Sequence, residues 1–393
     1  MKKILITLRH PGPTQAIIGL VPLLKKRVEK VGLIVSDCAL QELQNRYINI
    51  LEDIEIYYCR KNKWILVKQE NLRDDLRGDN LEFNSNIEMG YVKLVDSLVK
   101  FISVYKADII LRTTPMFKWG VDEAIIEASK VLGIEEKCRC YQECFDCGND
   151  LYSFPNAIAT VNEQAKSILE SKGIPAVVVG WLNKNIFLSY RPYNIARKDT
   201  RIQLGIRDKE QAILYCTVAS GNIDAELNHF ISFIKSMNSI INKRLFIKFH
   251  PRNTDAEKQS YIKISNNEIK CVDTLPMDGI LSFADFLISP SSAINFDLLE
   301  YQVLNNEKKL RTLSIYTRGR FTESIISSSA TKCIELDLKE MMGSLIVSET
   351  DYSDLFDDCI EAKRIQLCAD ACKTFGVSIN ESKNSFLKYL GII

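Results

Sequence analysis

The sequence predicts two doubly wound α/β domains in tandem. Three observations carry that expectation. Short β-branched runs alternate with amphipathic stretches of helical length, the pattern of βαβ units. The alternation lapses once, after Gly180, and 393 residues suit two domains of ordinary size better than one. The boundaries that follow are a first domain over 1–182, a linker over 183–203, a second domain over 204–350, and C-terminal helices over 351–393 that fold back toward the first domain.

In the first half the strand candidates are 3–8, 31–36, 54–59, 108–112, 138–142, 157–161 and 176–179. Between them, 15–28 places Ile17, Ile18, Val21, Leu24 and Val28 near a helical period. The stretches 120–132 and 163–171 behave alike, and Gly133 and Gly173 stand where a helix would end on a left-handed residue. Aromatic, basic and proline residues without periodicity fill 181–203. Alternation resumes with strands at 212–217, 244–249, 269–273, 286–289 and 311–316, and helices at 224–241, 255–264, 277–284 and 292–301. No fixed-period repeat and no low-complexity segment interrupts it.

Charge narrows the function classes. With 51 Lys and Arg against 50 Asp and Glu, the chain lacks the basic excess that drives phosphate-backbone binding, so nucleic acid is not an expected partner. The opening residues MKKILITLR hold too short an apolar core for a signal peptide and read as a first strand. No run approaches the length of a membrane-spanning helix. Twelve cysteines without a secretion signal suit a reducing, cytoplasmic setting in which thiols are buried. Cys138, Cys140, Cys144 and Cys147 could in principle enclose zinc or an iron–sulfur cluster. Their place far along a doubly wound domain favours buried thiols, and neither metal nor cofactor is expected.

In a doubly wound sheet, ligands sit outside the carboxyl ends of the strands. Three strand ends in the second domain carry suitable residues. Lys248-Phe249-His250-Pro251-Arg252 ends a strand on an imidazole that can donate to a phosphate oxygen, with Arg252 as a phosphate fork. Ser289-Pro290-Ser291-Ser292 runs from a strand into a helix, where backbone N–H groups and hydroxyls cradle phosphate; helix capping alone would also explain the serines. Thr217-Val218-Ala219-Ser220-Gly221 is a small-residue loop that lets a ligand approach the backbone.

Together, KFHPR and the later ADFLISPSSAINFDLL resemble the paired His-Pro and Ser-Ser motifs of bacterial sialyltransferases and of capsule and lipopolysaccharide transferases with GT-B folds. The segment is also similar to CDP-glycerol glycerophosphotransferases, whose serine pair precedes an aromatic-Asp dipeptide, here Phe296-Asp297. The stretch 156–180 looks like the last βαβ of the N-terminal domain in GT-B transferases and UDP-N-acetylglucosamine 2-epimerases. The acidic pair-plus-glycine motif of sialyltransferases is interrupted in Asp74-Asp75-Leu76-Arg77-Gly78, which leaves the donor open.

The resemblance implies two Rossmann-like domains facing a cleft, and contact of His250, Pro251, Ser291 and Ser292 with a nucleotide phosphate. It further implies an inverting, metal-independent glycosyltransferase of surface-polysaccharide synthesis, taking a nucleotide-sugar donor and a carbohydrate or glycolipid acceptor, with peripheral contact at the inner membrane face. Lys248, Arg252, Thr217, Ser220 and Gly221 complete the donor set. A general base is expected from the first domain, where Glu143, Asp146 and His10 follow strand ends. The alternatives on the same scaffold are a sugar-nucleotide epimerase, a CDP-polyol phosphotransferase, and a nucleotide-sugar-binding protein without turnover.

Overall fold

The computed structural model of the chain describes residues 2–8, 11–35, 39, 43, 54–60, 63–67, 87–113, 121–142, 156–182, 190–238, 240–266, 268–290, 292, 294–305, 307–328, 343–356, 359–375 and 379–393. It divides into two compact units: Met1–Ile186 with Val377–Ile393, and Phe187–Gly376.

The first unit is built on strands β1 (Lys3–Leu8), β2 (Lys30–Val35), β3 (Glu55–Arg60), β4 (Lys63–Val67), β5 (Ile109–Thr113), β6 (Cys138–Tyr141), β7 (Ile158–Thr160) and β8 (Ala176–Val178), in the order β4-β3-β2-β1-β5-β6-β7-β8. All pairings are parallel except the β3–β4 hairpin, which the sequence pattern does not reveal. Helices α1 (Pro11–Ile18) and α2 (Val21–Lys25) replace the single helix expected over 15–28. Pro22 lies in the first turn of α2, where its missing N–H breaks no bond; further inside a continuous helix it would have removed one. Helices α3 (Ile87–Tyr105), α4 (Val121–Val131) and α5 (Glu163–Ser171) follow. Leu98 and Ile102 from α3 and Ile125 from α4 close over Leu5, Ile34 and Ile110 of the sheet. Each such aliphatic side chain contributes about 1.5–3 kcal/mol on burial.

The second unit opens with helix α6 (Tyr193–Leu204), inside the stretch that the sequence suggests is a linker. Its buried stripe is Tyr193, Ala196, Thr200 and Leu204, while Ile195 and Ile202 face solvent. The conspicuous isoleucines point outward and the packing residues are inconspicuous, which hides the period. Strands β9 (Gln211–Cys216), β10 (Lys243–Lys248), β11 (Lys270–Cys271), β12 (Phe286–Ser289), β13 (Leu313–Arg318) and β14 (Ser344–Ser348) form an all-parallel sheet of order β11-β10-β9-β12-β13-β14. Helices α7 (Ile223–Met237), α8 (Asp255–Ile264), α9 (Met277–Phe283), α10 (Ile294–Leu304), α11 (Arg320–Ser328) and α12 (Ile360–Phe375) complete this unit. Strand β9 is central and covered on both faces. Leu214 and Cys216 join Phe246, Leu281 and Leu287 on one face, while Tyr215 packs edge-on against Phe230 and tilted against Phe233 on the other.

The C-terminal helices do not act together, contrary to the expectation for 351–393. Helix α12 belongs to the second unit, and only α13 (Ile379–Tyr389) belongs to the first. There the Tyr389 hydroxyl accepts from the Cys140 amide at 2.9 Å and donates toward the carbonyls of Cys140 and Ala157, stapling α13 across β6 and β7.

At the amino ends of β9 and β12 a cavity of about 600 Å³ is lined by Arg197, Arg201, Asp285 and Arg364 among others. These arginines are engaged. Arg197 and Arg201 meet Asp285 at 2.5 and 3.2 Å and the carbonyls of Ser282, Phe283 and Ala284. Arg364 donates to the carbonyls of Leu310 and Arg311. The cluster ties strand starts to helix ends.

Candidate functional site

Strand β9 has β10 on one side and β12 on the other, so chain direction across the sheet reverses between β9 and β12. Such a switch point opens a crevice at the carboxyl ends of the two strands, because the loops leaving them diverge to opposite faces. The loops beginning at Thr217, Phe249 and Pro290 all leave this edge, since the strands are parallel.

The turn after β10 is pinned at every donor. Phe249 N–H donates to Asp273 Oδ1 at 2.8 Å. His250 N–H is shared between Thr217 Oγ1 at 2.8 Å and Asn253 Oδ1 at 3.0 Å. Thr217 Oγ1 in turn donates to Asn253 Oδ1 at 2.6 Å, and Asn253 Nδ2 donates to the Val218 carbonyl at 3.2 Å. Buried Asn253 thus bridges the two loops, and Thr254 starts α8 with a reciprocal capping pair to Glu257.

This frame fixes the imidazole of half-buried His250. Its Nδ1 accepts the Arg252 N–H at 3.2 Å, so the neutral ring carries its proton on Nε2. Burial, with the charges of Arg252 and Lys248 beside it, lowers its pKa to about 4. Among the described residues Nε2 has no hydrogen-bond partner. At neutral pH the group is an uncharged donor flanked by two cations, rather than the protonated imidazole that could also have served. Arg252 Nη2 reaches the Ala219 carbonyl at 3.2 Å and Lys248 Nζ the Phe249 carbonyl at 3.3 Å. Neither has an ion-pair partner among the described residues.

The other expected donor contacts divide. Pro251 and Gly221 are exposed, and Gly221 has a φ of +92°, a conformation that glycine adopts without strain. The Ser220 hydroxyl is taken up internally: it donates to Glu226 Oε1 at 2.6 Å beside its own N–H at 2.7 Å. Ser220 therefore shapes the loop by holding buried Glu226, whose carboxyl burial pushes upward in pKa. Ser292 is half-buried and its Oγ accepts from Ile294 N–H at 3.4 Å, at the start of α10. Ser291 lies outside the described residues, as do His10, Glu143, Asp146, Cys144, Cys147 and the 74–78 segment. Cys138 and Cys140 are buried thiols, and Arg112 Nε donates to Cys140 Sγ at 3.4 Å.

The sequence matches no protein-family model, and no curated protein sequence matches it. Solved structures do match over the whole chain. The UDP-N-acetylglucosamine 2-epimerase of Neisseria meningitidis bound to UDP-GlcNAc is 13% identical, aligns over 99% of each chain, and gives a TM-score of 0.62. A glycosyltransferase from Rickettsia africae is 13% identical over 100% of this chain and 98% of its own, with a TM-score of 0.58. Anabaena HepE in complex with UDP and glucose is 10% identical over 100% of both chains, also at 0.58. The fold is of the GT-B type.

At that level of identity the likeness carries fold and nothing finer, so side chains have to be read from this chain. Sequence reasoning missed Asn253, Glu226 and Glu349. A signal for Asn253 was present, since an Asn three residues after a strand-ending His can close a turn through its side chain. Glu226 takes Ser220 six residues back and remote Tyr261, while Glu349 accepts from Phe321 and Thr322 far earlier in the chain, and no local pattern marks either acid. In the first unit the corresponding switch point lies between β1 and β5. There Thr7 donates to buried Asp122, and buried Arg112 meets Glu123 at 3.0 Å.

Proposed function

We propose that the chain is an enzyme acting on a nucleotide-activated sugar, with the carboxyl edge of the second sheet gripping the nucleotide phosphate. The supporting observation is the conjunction at one switch point of a locked His250 turn, Nε2–H of a neutral imidazole, and cations without acidic partners. In this reading the bond between the anomeric carbon and the phosphate oxygen breaks, and negative charge grows on the departing phosphate. His250 donates to that oxygen while Lys248 and Arg252 lower the cost of the charge. Thr217 and Asn253 position His250, and Ser292 with the start of α10 cradles the phosphate.

Epimerisation of a UDP-N-acetylhexosamine is the form of this chemistry that the fold relatives favour, because UDP-N-acetylglucosamine 2-epimerases recur among them. Transfer to an acceptor hydroxyl is the second reading, favoured by the His250-Pro251 and Ser-Ser sequence pattern and by the Rickettsia africae glycosyltransferase. In either form a base from the first unit is required, with Glu143, Asp146 and His10 as the candidates. Incubation with UDP-N-acetylglucosamine alone, followed by proton NMR, separates the readings. Appearance of the C2 epimer without acceptor supports epimerisation, and sugar loss only with an added hydroxyl acceptor supports transfer. No consumption and no binding of any nucleotide sugar would end both.

A further inference from the structure

Glu226 stands in the first turn of α7, and its buried carboxylate holds the loop that follows β9. Among the described residues no cation pairs with it, and its partners are neutral donors. Oε1 accepts Ser220 N–H at 2.7 Å and Ser220 Oγ at 2.6 Å, while Oε2 accepts the Tyr261 hydroxyl of α8 at 3.2 Å. Hydrogen bonds to an ionised acceptor are roughly twice as strong as neutral ones.

Fixing that N–H fixes a whole peptide plane. The bond between Ala219 and Ser220 is trans, so its carbonyl points away from its N–H. With the N–H turned to Glu226, the Ala219 carbonyl faces the turn after β10 and accepts from Arg252 Nη2 at 3.2 Å. The Val218 carbonyl, one residue back, accepts from Asn253 Nδ2 at 3.2 Å. The loop thus presents acceptors to the His250 turn and spends its amide on the carboxylate. Without an acceptor at position 226 the plane is free to turn over, which would aim an N–H at Arg252 in place of a carbonyl.

We propose that Glu226 is a positioning residue: by holding one peptide plane it aims the Ala219 carbonyl at Arg252, and so sets where that guanidinium meets the ligand. The proposal rests on the nucleotide reading above, in which Arg252 lowers the cost of phosphate charge. Arg252 is exposed, and an exposed arginine side chain has many rotamers. A contact that orders it before the ligand arrives reduces the entropy lost on binding.

Titration calorimetry of the full chain tests it, with whichever of UDP, CDP, GDP and dTDP binds the parent tightest. Glu226→Gln and Glu226→Leu are each made in the parent and in Arg252→Ala, with urea unfolding recorded beside them. Glutamine offers its carbonyl oxygen to Ser220 and its amide to Tyr261, so affinity should stay within about 3-fold of the parent. Leucine has no acceptor and should weaken binding about 10-fold in the parent, yet by less than about 2-fold once Arg252 is alanine. Equal losses in the two backgrounds would leave Glu226 a stability residue alone and overturn its action through Arg252. A glutamine variant as weak as the leucine one would overturn the acceptor geometry. Should Glu226→Leu fail to fold, Glu226→Asp draws the carboxylate back by one methylene and goes through the same cycle, with a loss of about 3-fold that Arg252→Ala abolishes. No loss there, or one that persists without Arg252, overturns the proposal. If Arg252→Ala leaves affinity unchanged, the proposal falls while the nucleotide reading stands. A parent that binds none of the four nucleotides overturns that reading and this proposal with it.

Discussion

The two edges of the second sheet use the same side chain in opposite ways. At the amino edge Arg197, Arg201 and Arg364 are tied to Asp285, Glu361 and strings of carbonyls, and their charges are consumed in holding strand starts to helix ends. At the carboxyl edge Lys248, Arg252, Arg318 and Arg320 have no acid within ion-pair distance among the described residues. The amino edge lines a cavity of about 600 Å³, yet the carboxyl edge has the uncommitted charge. A cavity at the amino edge is thus no guide to where charge is left unpaired, and the accounting of partners separates the two edges.

The two histidines of the second unit show the same contrast. Buried His229 has both ring nitrogens engaged, by the Tyr215 hydroxyl at 2.7 Å and the Thr317 hydroxyl at 2.9 Å. Burial lowers its pKa to about 4, as for His250, but only His250 keeps a ring nitrogen for a ligand.

Substituting the two edges in turn would break or sharpen this contrast. The largest effect is expected from His250→Ala, which should lower turnover about 100- to 1000-fold with the urea midpoint nearly unchanged. Steady-state kinetics beside urea unfolding measures both, and undiminished turnover would remove His250 from the site. Asp285→Ala should do the reverse. It leaves Arg197 and Arg201 without their counter-charge and should cost about 3 kcal/mol in urea unfolding, while nucleotide affinity per folded molecule stays the same. An equally stable variant would mean the amino-edge cluster is no clamp.

A third expectation concerns pH. The unfolded chain protonates an imidazole near 6.5, whereas folded His229 resists to about 4, so stability present above 6.5 is lost as pH falls toward 4. For one such group the loss is at most about 3 kcal/mol. His229→Gln should remove that share of the acid slope in unfolding curves recorded between these limits, and an unchanged slope would exonerate His229. The smallest effect is expected for Thr217→Val, which deletes one acceptor of His250 N–H and one donor to Asn253. About 1 kcal/mol of stability and a roughly 5-fold loss of nucleotide affinity should result, by unfolding and calorimetry respectively.

Much of the fold was legible because strands buried on both faces are written as continuous apolar runs, as in Phe286–Ser289, and helices such as Asp255–Ile264 announce their start with a capping residue. Helix α6 was not legible, because its buried stripe uses Ala196 and Thr200 while Ile195 and Ile202 face water. The β3–β4 hairpin was missed because the sequence between its strands, Lys61-Asn62, lacks the glycine that marks the commonest tight reversal. Of the candidate site, His250, Pro251 and Ser292 were legible as residues at strand ends. Ser220 had the right chemistry for a ligand contact and was claimed by Glu226 instead.

By itself the sequence determined the order of most strands and helices, because period and capping are local properties of a few consecutive residues. It also placed small and polar residues at the strand ends. Only the tertiary structure decided which of those ends meet. Strand β9 is joined by hydrogen bonds to β10 and to β12, three strands later in the chain, and that choice brings Thr217, His250 and Ser292 to one edge. The same holds for charge. Whether an arginine is a clamp or a ligand contact depends on which carboxylate folding delivers to it, and Asp285 and Glu349 reach their partners from far along the chain.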